Sequence, residues 1–160
     1  MHNTVFKVRK ATIEDIAEIQ KITKEAFEKY VELAGITVPL DALEETCDTV
    51  KKDIETKEVL IAFIDNVPVG SARISFLSED SAYLTRFGVR LQYQNNSVGK
   101  AIMNVIDLHM QQSNIKKLYL HTASKFTTLV RFYYGRGFYI DSTTKDKGYI
   151  RALMCKEYTG

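Results

Sequence analysis

The feature that most constrains the fold of this chain is a junction between an apolar strand and a helix, within residues 84–103. The strand ends at Val89, a short polar loop follows, and a helix begins near Val98. Because the helix starts with little side-chain bulk, unpaired backbone N–H groups and the positive end of the helix dipole point at one place. Such a junction suits a phosphate or pyrophosphate group. On this segment alone, an ordinary strand–loop–helix turn is the simpler interpretation.

Spacing excludes two common phosphate-binding motifs at this junction. A P-loop needs Gly-Lys followed by Ser or Thr, whereas Gly99 and Lys100 are followed by Ala101. A dinucleotide fingerprint needs three glycines, and only Gly99 is available. The glycosylation sequon at residues 95–97 is interpreted as a chance match, because nothing else in the sequence indicates secretion.

Strands and helices alternate along the chain, with no linker, repeat or low-complexity stretch. A first helix is predicted to begin at Ile13 and to break at residues 35–39. The other predicted helices are 41–55, 98–112 and 125–134, and the predicted strands are 5–9, 59–64, 69–76, 81–89, 117–122, 138–142 and 149–156. This pattern predicts an α/β fold with a mixed, mostly antiparallel sheet, in a single domain over residues 1–160.

Composition narrows the class of protein. A hydrophobic content of 45% with 26% charged residues is typical of a soluble globular chain, and no apolar run approaches the ~20 residues of a membrane helix. The formal charge of +2 does not indicate a nucleic-acid partner. The three histidines show no metal-ligand spacing, so no metal is expected. Cys47 and Cys155 are expected to be reduced and buried or half-buried, which fits a cytoplasmic protein.

Residues 94–99 read Gln-Asn-Asn-Ser-Val-Gly, and residues 129–138 read Leu-Val-Arg-Phe-Tyr-Tyr-Gly-Arg-Gly-Phe. Both segments resemble motifs of the GCN5-related N-acetyltransferase (GNAT) superfamily. Residues 94–99 resemble its acyl-CoA-binding motif Gln/Arg-x-x-Gly-x-Gly/Ala, with Ser97 in the first glycine position. Residues 129–138 resemble its helix ending in Phe-Tyr-x-x-x-Gly-Phe. The resemblance implies a GNAT fold, in which helices cover both faces of the sheet. If position 97 needs a positive φ, Ser is disfavoured there, although its hydroxyl could cap the helix or bond to a phosphate.

The resemblance also implies an activity: direct transfer of an acetyl group from acetyl-CoA to a primary amine of a small molecule or peptide. The backbone N–H groups of Phe87 and Val89 would polarise the acetyl carbonyl, and a bulge at Gly88 would separate this strand from its neighbour. Lys100, Lys125 and Arg131 either add charge for phosphates or are solvated surface residues. The residues expected to bind the pyrophosphate are Gln94, Asn95, Asn96, Ser97, Val98, Gly99 and Lys100.

Tyr133 falls on the tyrosine position of the second motif, and the resemblance implies that it donates a proton or hydrogen bond to the departing thiolate. A phenol of pKa ~10 facing a thiol of ~8.5 transfers its proton slightly uphill, which favours the hydrogen-bonding role. The alternative is a core aromatic whose hydroxyl is bonded locally. Tyr134 points about 100° away on the helix and is the second choice.

The general base and the acceptor stay open. Many family members carry a Glu on the strand that here holds residues 83–87, which contain no carboxylate. His121 ends a strand near the expected cleft and is either a base or an internally bonded histidine. Arg73 and Arg86 either hold an acceptor carboxylate or pair with Glu79 or Asp80. Four tyrosines are candidates for lining an aromatic acceptor pocket: Tyr30, Tyr83, Tyr119 and Tyr149.

One alternative function belongs to a different class, a binding module instead of an enzyme. A catalytically weak acyl-CoA-binding regulatory or sensor module would keep the cofactor cleft and lose turnover. Tyr133 favours the enzyme, whereas Ser97 and the missing strand carboxylate favour the module weakly. The sequence also leaves open whether the chain forms a homodimer.

Overall fold

A seven-stranded sheet organises the part of the chain that the computed structural model describes, residues 4–94 and 97–159. The strands lie in the order β1-β2-β3-β4-β5-β7-β6, and every neighbouring pair is antiparallel except β4 and β5. The strands are β1 (Phe6–Lys10), β2 (Glu58–Ile64), β3 (Val67–Phe76), β4 (Ser81–Val89), β5 (Lys117–Ala123), β6 (Tyr139–Thr144) and β7 (Arg151–Glu157). The predicted α/β fold with a mixed, mostly antiparallel sheet is confirmed.

Four α-helices cover both faces of this sheet within the described residues: α1 (Ile16–Ala34), α2 (Cys47–Thr56), α3 (Val98–Gln112) and α4 (Thr127–Gly135). The alternation of side chains on β2 shows how the two faces are assigned. Leu60 and Ala62 belong to the main core beneath α3 and α4. Val59 and Ile61 belong to a second cluster beneath α1 and α2. β2 is apolar at every position after Glu58 and is therefore buried on both faces. Accordingly, α1 and α2 cover the opposite face from α3 and α4.

The second helix begins later than the sequence pattern predicts. Asp41–Leu43 forms only a 3₁₀ turn, and α2 starts at Cys47. The Thr46 hydroxyl accepts a hydrogen bond from the Thr49 N–H and so caps the helix there. Between the turn and the cap, the Glu45 side chain points into the protein. The prediction that a helix starts at Asp41 is wrong because Thr46 caps the helix at a later position.

The two cysteines are unpaired, as expected from the sequence, although their surroundings differ. Cys155 is buried in β7, whereas Cys47 is exposed at the start of α2. The Cys47 thiol lies 3.1 Å from the Gln20 side-chain oxygen. The expectation that both thiols are at least half-buried is therefore wrong for Cys47.

Candidate functional site

A gap in the middle of the sheet creates the candidate site. β4 and β5 are parallel and pair over three residues each, Ser81–Tyr83 with Lys117–Tyr119, and no further pairing joins them in the described chain. Both strands continue beyond that point, to Val89 and Ala123. The backbone N–H and C=O groups along the gap resemble those of an edge strand, which can pair with an extended ligand.

A β-bulge in β4 accompanies the gap. Ser71 pairs with Gly88 and Arg73 pairs with Thr85, so β4 carries one extra residue between these pairs. Arg86 adopts φ +51°, a left-handed conformation that non-glycine residues rarely take. The extra residue bends β4 at the point where it leaves β5. The bulge therefore lies at Arg86 and Phe87, and its predicted position at Gly88 is wrong.

Gly88 has a different role, which is to allow α1 to approach the sheet. A Cβ atom at this position would lie 2.9 Å from the Cβ of Ala26 on α1, closer than real Cβ atoms come. The absence of a side chain thus lets α1 pack directly on β4. This contact places α1 as one wall of the gap.

The gap opens into a cleft of about 430 Å³, within the size range of small-molecule sites. Its floor is formed by the diverging ends of β4 and β5, and its walls by α1, the 3₁₀ turn at Asp41–Leu43, α4 and the 145–149 turn. Among the sequence-predicted residues, those that line it are Tyr30, Tyr83, Arg86, Phe87, Gly88, Val89, Gln94, Gly99, His121, Tyr133 and Tyr149. The predicted residues outside the cleft lining include Ser97, Val98, Lys100, Tyr119, Lys125 and Arg131.

The start of α3 supplies unpaired N–H groups at one end of the cleft. The first intrahelical bond runs from the Ala101 N–H to the Ser97 carbonyl at 3.1 Å, so Val98, Gly99 and Lys100 precede the hydrogen-bonded ladder. Val98 is buried in the core, which anchors the helix start. The Gln94 side chain donates to the Val89 carbonyl at 3.0 Å and ties the loop to the end of β4. Asn95 and Asn96, also predicted to bind here, lie outside the described residues.

Ser97 takes the left-handed conformation that the first glycine of the motif would adopt easily. Its φ is +60°, and its side chain makes no capping hydrogen bond to the helix. The positive φ is the reason that Ser is disfavoured here. Its hydroxyl does not act as a helix cap, because it satisfies none of the first N–H groups.

Replacing Ser97 with glycine is expected to raise the free energy of unfolding by about 0.5–1 kcal/mol. The left-handed conformation costs a non-glycine residue roughly 1–2 kcal/mol, and the greater freedom of glycine in the unfolded chain removes roughly half of that gain. Urea denaturation measures the change. Ser113→Gly at the other end of α3, where φ is −92°, is the matched control and should destabilise the protein. Equal changes in the two variants would contradict this account of Ser97.

Tyr133 lies deep in the cleft wall formed by α4. Its side chain is 4% exposed and packs edge-to-face against Phe87, Phe132 and Phe138. The Tyr133 hydroxyl makes no hydrogen bond with any residue in the described ranges 4–94 and 97–159. Burial raises the pKa of Tyr133 well above the ordinary value of 10, so the hydroxyl remains protonated. Tyr134, the second choice, is 50% exposed and does not line the cleft.

Tyr83 on β4 and His121 on β5 lie on the two strands that border the gap. The Tyr83 hydroxyl is hydrogen-bonded to His121 Nδ1, and the two rings meet edge-to-face with centroids 5.6 Å apart. Burial, followed by the positive charge of Arg151, lowers the pKa of His121 below its ordinary 6.5. Burial also raises the pKa of Tyr83 above 10. Both side chains are therefore uncharged at neutral pH.

The two strand arginines have different surroundings. Arg73 is fully buried, and its guanidinium donates to Glu45 at 2.6 and 2.8 Å and to Asp53 at 2.9 Å. It therefore cannot hold an acceptor carboxylate, and its partners are not the predicted Glu79 or Asp80. Arg86 donates to the same Glu45 through Nε at 3.0 Å but lines the cleft.

Sequence reasoning missed Glu45, whose side chain is only 6% exposed. The available signal was Arg73 itself, because an arginine among apolar strand residues requires a buried carboxylate nearby. The partner comes from the segment before α2 and not from the turn before β4. Glu45 thereby joins the bulged part of β4 to the buried arginine on β3.

The family comparison agrees with this geometry. The model of the "Acetyltransferase (GNAT) family" matches residues 16–138, which include β4, α3, β5 and α4. The chain belongs to this family. The GNAT match covers well over half of the chain and contains both motifs that resemble the family. No curated protein matches the sequence significantly.

Solved GNAT structures share the fold across almost the whole chain. PaiA N-acetyltransferase from Thermoplasma acidophilum, crystallised with coenzyme A, is 21% identical with a TM-score of 0.83, covering 96% of this chain and 99% of its own. The ribosomal-protein alanine N-acetyltransferase from Escherichia coli is 14% identical with a TM-score of 0.77, covering 98% and 97%. A spermidine N-acetyltransferase chimera from Vibrio cholerae and hSSAT is 14% identical with a TM-score of 0.75, covering 95% of each chain. At these identities the likeness establishes the fold.

Two kinds of feature are absent from the residues that the structure describes in this GNAT chain. None of the helices there combines the length and apolar character that a bilayer crossing requires. Within the same ranges, no group of three or more His, Cys, Asp and Glu side chains is placed to hold a metal ion.

Proposed function

We propose that this GNAT protein is an N-acetyltransferase that moves an acetyl group from acetyl-CoA directly to the primary amine of a small molecule or peptide. The observation that carries the proposal is the gap between β4 and β5, which presents unpaired backbone groups between the start of α3 and the Tyr133 hydroxyl. An extended, amide-containing ligand with an anionic end fits such a gap. When bound, acetyl-CoA supplies an acetyl thioester whose carbonyl carbon is the electrophile.

The N–H groups at the start of α3 are proposed to hold the pyrophosphate. Ser97, Val98, Gly99 and Lys100 provide them, and the helix dipole favours negative charge there. Gln94 fixes the end of the loop against Val89. The contributions of Asn95 and Asn96 stay predictions from the sequence.

The bulged end of β4 is proposed to orient the thioester. Phe87 and Val89 lie on the edge that faces the gap, and their N–H groups are candidates to polarise the acetyl carbonyl. Fixed backbone dipoles of this kind are often a large catalytic contribution, and losing one donor costs on the order of 3 kcal/mol. Because Glu45 bonds both Arg73 and Arg86, it holds the bulge that sets the direction of these groups.

Tyr133 is proposed to stabilise the departing thiolate. Its hydroxyl has no partner among the described residues, which leaves its proton available to a sulfur atom in the cleft. Its raised pKa makes it a hydrogen-bond donor more than a full acid, because complete proton transfer to a thiolate would be uphill. The packing of its ring against Phe87 fixes the hydroxyl beside the strand that orients the thioester.

The acceptor is proposed to enter between α1 and the 145–149 turn, where Tyr30, Tyr149 and Arg86 line the cleft. Tyr30 is held in place because its hydroxyl accepts the Ala123 N–H at 2.7 Å. Solved GNAT neighbours named for a ribosomal-protein alanine and for spermidine support both peptide and small-molecule amines as candidates.

Thiol release from acetyl-CoA tests the proposal. The acceptors are spermidine, a short peptide with a free N-terminal alanine, and a simple monoamine, and the N-acetylated form of each is the control. Thiol release that depends on at least one of these amines, and that is absent with the acetylated form of that amine, supports the acetyltransferase. Tight acetyl-CoA binding without release for any amine would contradict the enzyme and favour the regulatory module.

A further inference from the structure

A hydrogen-bonded pair, Tyr83 and His121, lies where the gap opens. Tyr83 is the last residue of β4 that pairs with β5, and His121 follows the last paired residue of β5, Tyr119, by two positions. Both side chains are half-buried and line the cleft. The Tyr83 hydroxyl contacts His121 Nδ1. The cleft thus contains a hydroxyl that is directly hydrogen-bonded to a titratable imidazole.

The pair lies on the opposite face of the sheet from Tyr133. Ala82 and Leu84 belong to the core cluster that also contains Tyr133, and side chains alternate along a strand, so Tyr83 faces α1 and α2. Leu118 and Leu120 place His121 on the same face as Tyr83 by the same argument. An amine that enters from the α1 side would therefore meet Tyr83, while the thiol would leave towards Tyr133.

The surroundings of the pair keep both Tyr83 and His121 uncharged at neutral pH. Burial and Arg151 lower the pKa of His121, and Asp146 opposes them with a smaller effect. Burial raises the pKa of Tyr83, against the positive charges of Arg151 and Arg86. In the neutral tautomer that carries its hydrogen on Nε2, His121 Nδ1 accepts the hydrogen of the neutral phenol. The other charged side chains lining the cleft are Lys29, Asp41 and Lys147.

We propose that Tyr83 and His121 form a proton relay that deprotonates the ammonium group of the acceptor, an inference that rests on the proposed acetyltransferase function. The Tyr83 oxygen accepts an ammonium proton as its own proton moves to His121 Nδ1, which leaves a neutral amine and an imidazolium. The nitrogen lone pair then forms a bond to the acetyl carbon, the carbon–sulfur bond breaks and its electron pair goes to sulfur. Once bonded to the acetyl carbon, the nitrogen loses a second proton while the sulfur gains one, so the number of protons is conserved. His121 releases the first proton to solvent.

The relay supplies a base that no carboxylate on β4 provides. Residues 83–87 contain no Asp or Glu, and Asp41 is the one carboxylate among the described residues that line the cleft. Asp41 lies on the 3₁₀ turn before α2, whereas Tyr83 lies on the strand that forms the edge of the gap. Asp41 is therefore the competing base that an experiment must separate from the relay.

The test is the pH profile of kcat/KM for Tyr83→Phe with the best acceptor amine. In the parent protein, neutral His121 is required, so activity is lost as the pH falls through a pKa below 6.5. Removing the hydroxyl should lower kcat/KM at neutral pH by about 100-fold or more. The pH at which kcat/KM rises should move up towards the pKa of the free amine, about 10 for an alkyl amine. The reason is that only amine that is already neutral in solution can react with this variant. Activity should return at high pH.

Three controls make the result decisive. Tyr119→Phe, on the same face but outside the cleft, should leave the profile unchanged. Asp41→Asn should leave the rising limb in place, and unchanged acetyl-CoA binding by Tyr83→Phe would show an intact fold. Two results would overturn the relay and leave the acetyltransferase proposal intact. In the first, the parent protein is active and the pH profile of kcat/KM for Tyr83→Phe is unshifted. In the second, Asp41→Asn shifts the profile instead. A parent that releases no thiol with any amine contradicts both.

Discussion

Replacing Arg73 with methionine is expected to lower the free energy of unfolding by about 3–5 kcal/mol. The guanidinium is fully buried, and it neutralises Glu45, whose side chain is 6% exposed, together with Asp53. Methionine fills similar space but removes both hydrogen bonds from Arg73 to Glu45, which then keeps the single bond from Arg86. A buried carboxylate that loses most of its partners is costly. Since domains are stable by about 5–15 kcal/mol, such a loss is a large fraction of the total free energy of unfolding. Urea denaturation followed by circular dichroism measures the change.

The matched control is Arg9→Met. Arg9 also forms two hydrogen bonds to one carboxylate, at 2.8 and 2.9 Å to Asp15, but 37% of its side chain is exposed, against 11% for Asp15. The Asp15 carboxylate keeps a hydrogen bond from the Thr12 N–H at 2.8 Å, and an ion pair that reaches solvent contributes less than a buried one, so this variant should lose less stability than Arg73→Met. Similar losses in the two variants would show that burial of the Arg73 network has no special energetic role.

Replacing Tyr133 with phenylalanine is expected to lower kcat by about 100-fold with acetyl-CoA binding nearly intact. The ring contacts with Phe87, Phe132 and Phe138 remain, and only the hydroxyl is lost. A hydroxyl that assists the departing thiolate acts in the transition state, so its removal should change kcat and not the affinity for the donor. Steady-state thiol release, together with calorimetry for acetyl-CoA, separates the two effects.

Tyr134→Phe is the control for this prediction. Tyr134 is the next residue of α4 but is half exposed and lies outside the cleft lining, so its variant should keep the parent kcat. If Tyr134→Phe lost activity and Tyr133→Phe kept it, the assignment of the thiolate partner would be wrong. If neither variant changed kcat, the thiolate would leave without help from α4.

Local patterns predicted most of the fold because burial is periodic along each element. The alternation on β2 and the spacing of Val98, Ile102 and Ile106 on α3 are direct consequences of which faces are covered. The junction between β4 and α3 was also predictable, since an apolar strand, a polar loop and a glycine near a helix start are adjacent in the sequence. These features depend on residues that lie close together along the chain.

The features that sequence reasoning missed depend on distant residues. Glu45 meets Arg73 across 28 positions, and Tyr83 meets His121 across 38. Neither contact leaves a local pattern, because each partner is positioned by the packing of separate elements. The bulge at Arg86 was misplaced for a related reason. Its positive φ is held by pairing to β3 and by Glu45, and no preference of arginine for that conformation indicates it.

The measurement that tests the central claim most directly is a calorimetric titration of the protein with acetyl-CoA, with CoA and ATP as controls. Gly99→Leu places a side chain at the cleft-lining start of α3, where a Cβ meets only ordinary contacts. Gly135→Leu is the matched control, because a Cβ there has no neighbour within 4 Å. Micromolar binding of acetyl-CoA and CoA, weak binding of ATP, and a loss confined to Gly99→Leu are the expected results. No binding of acetyl-CoA, or equal binding by both glycine variants, would contradict an acetyl-CoA site in this cleft.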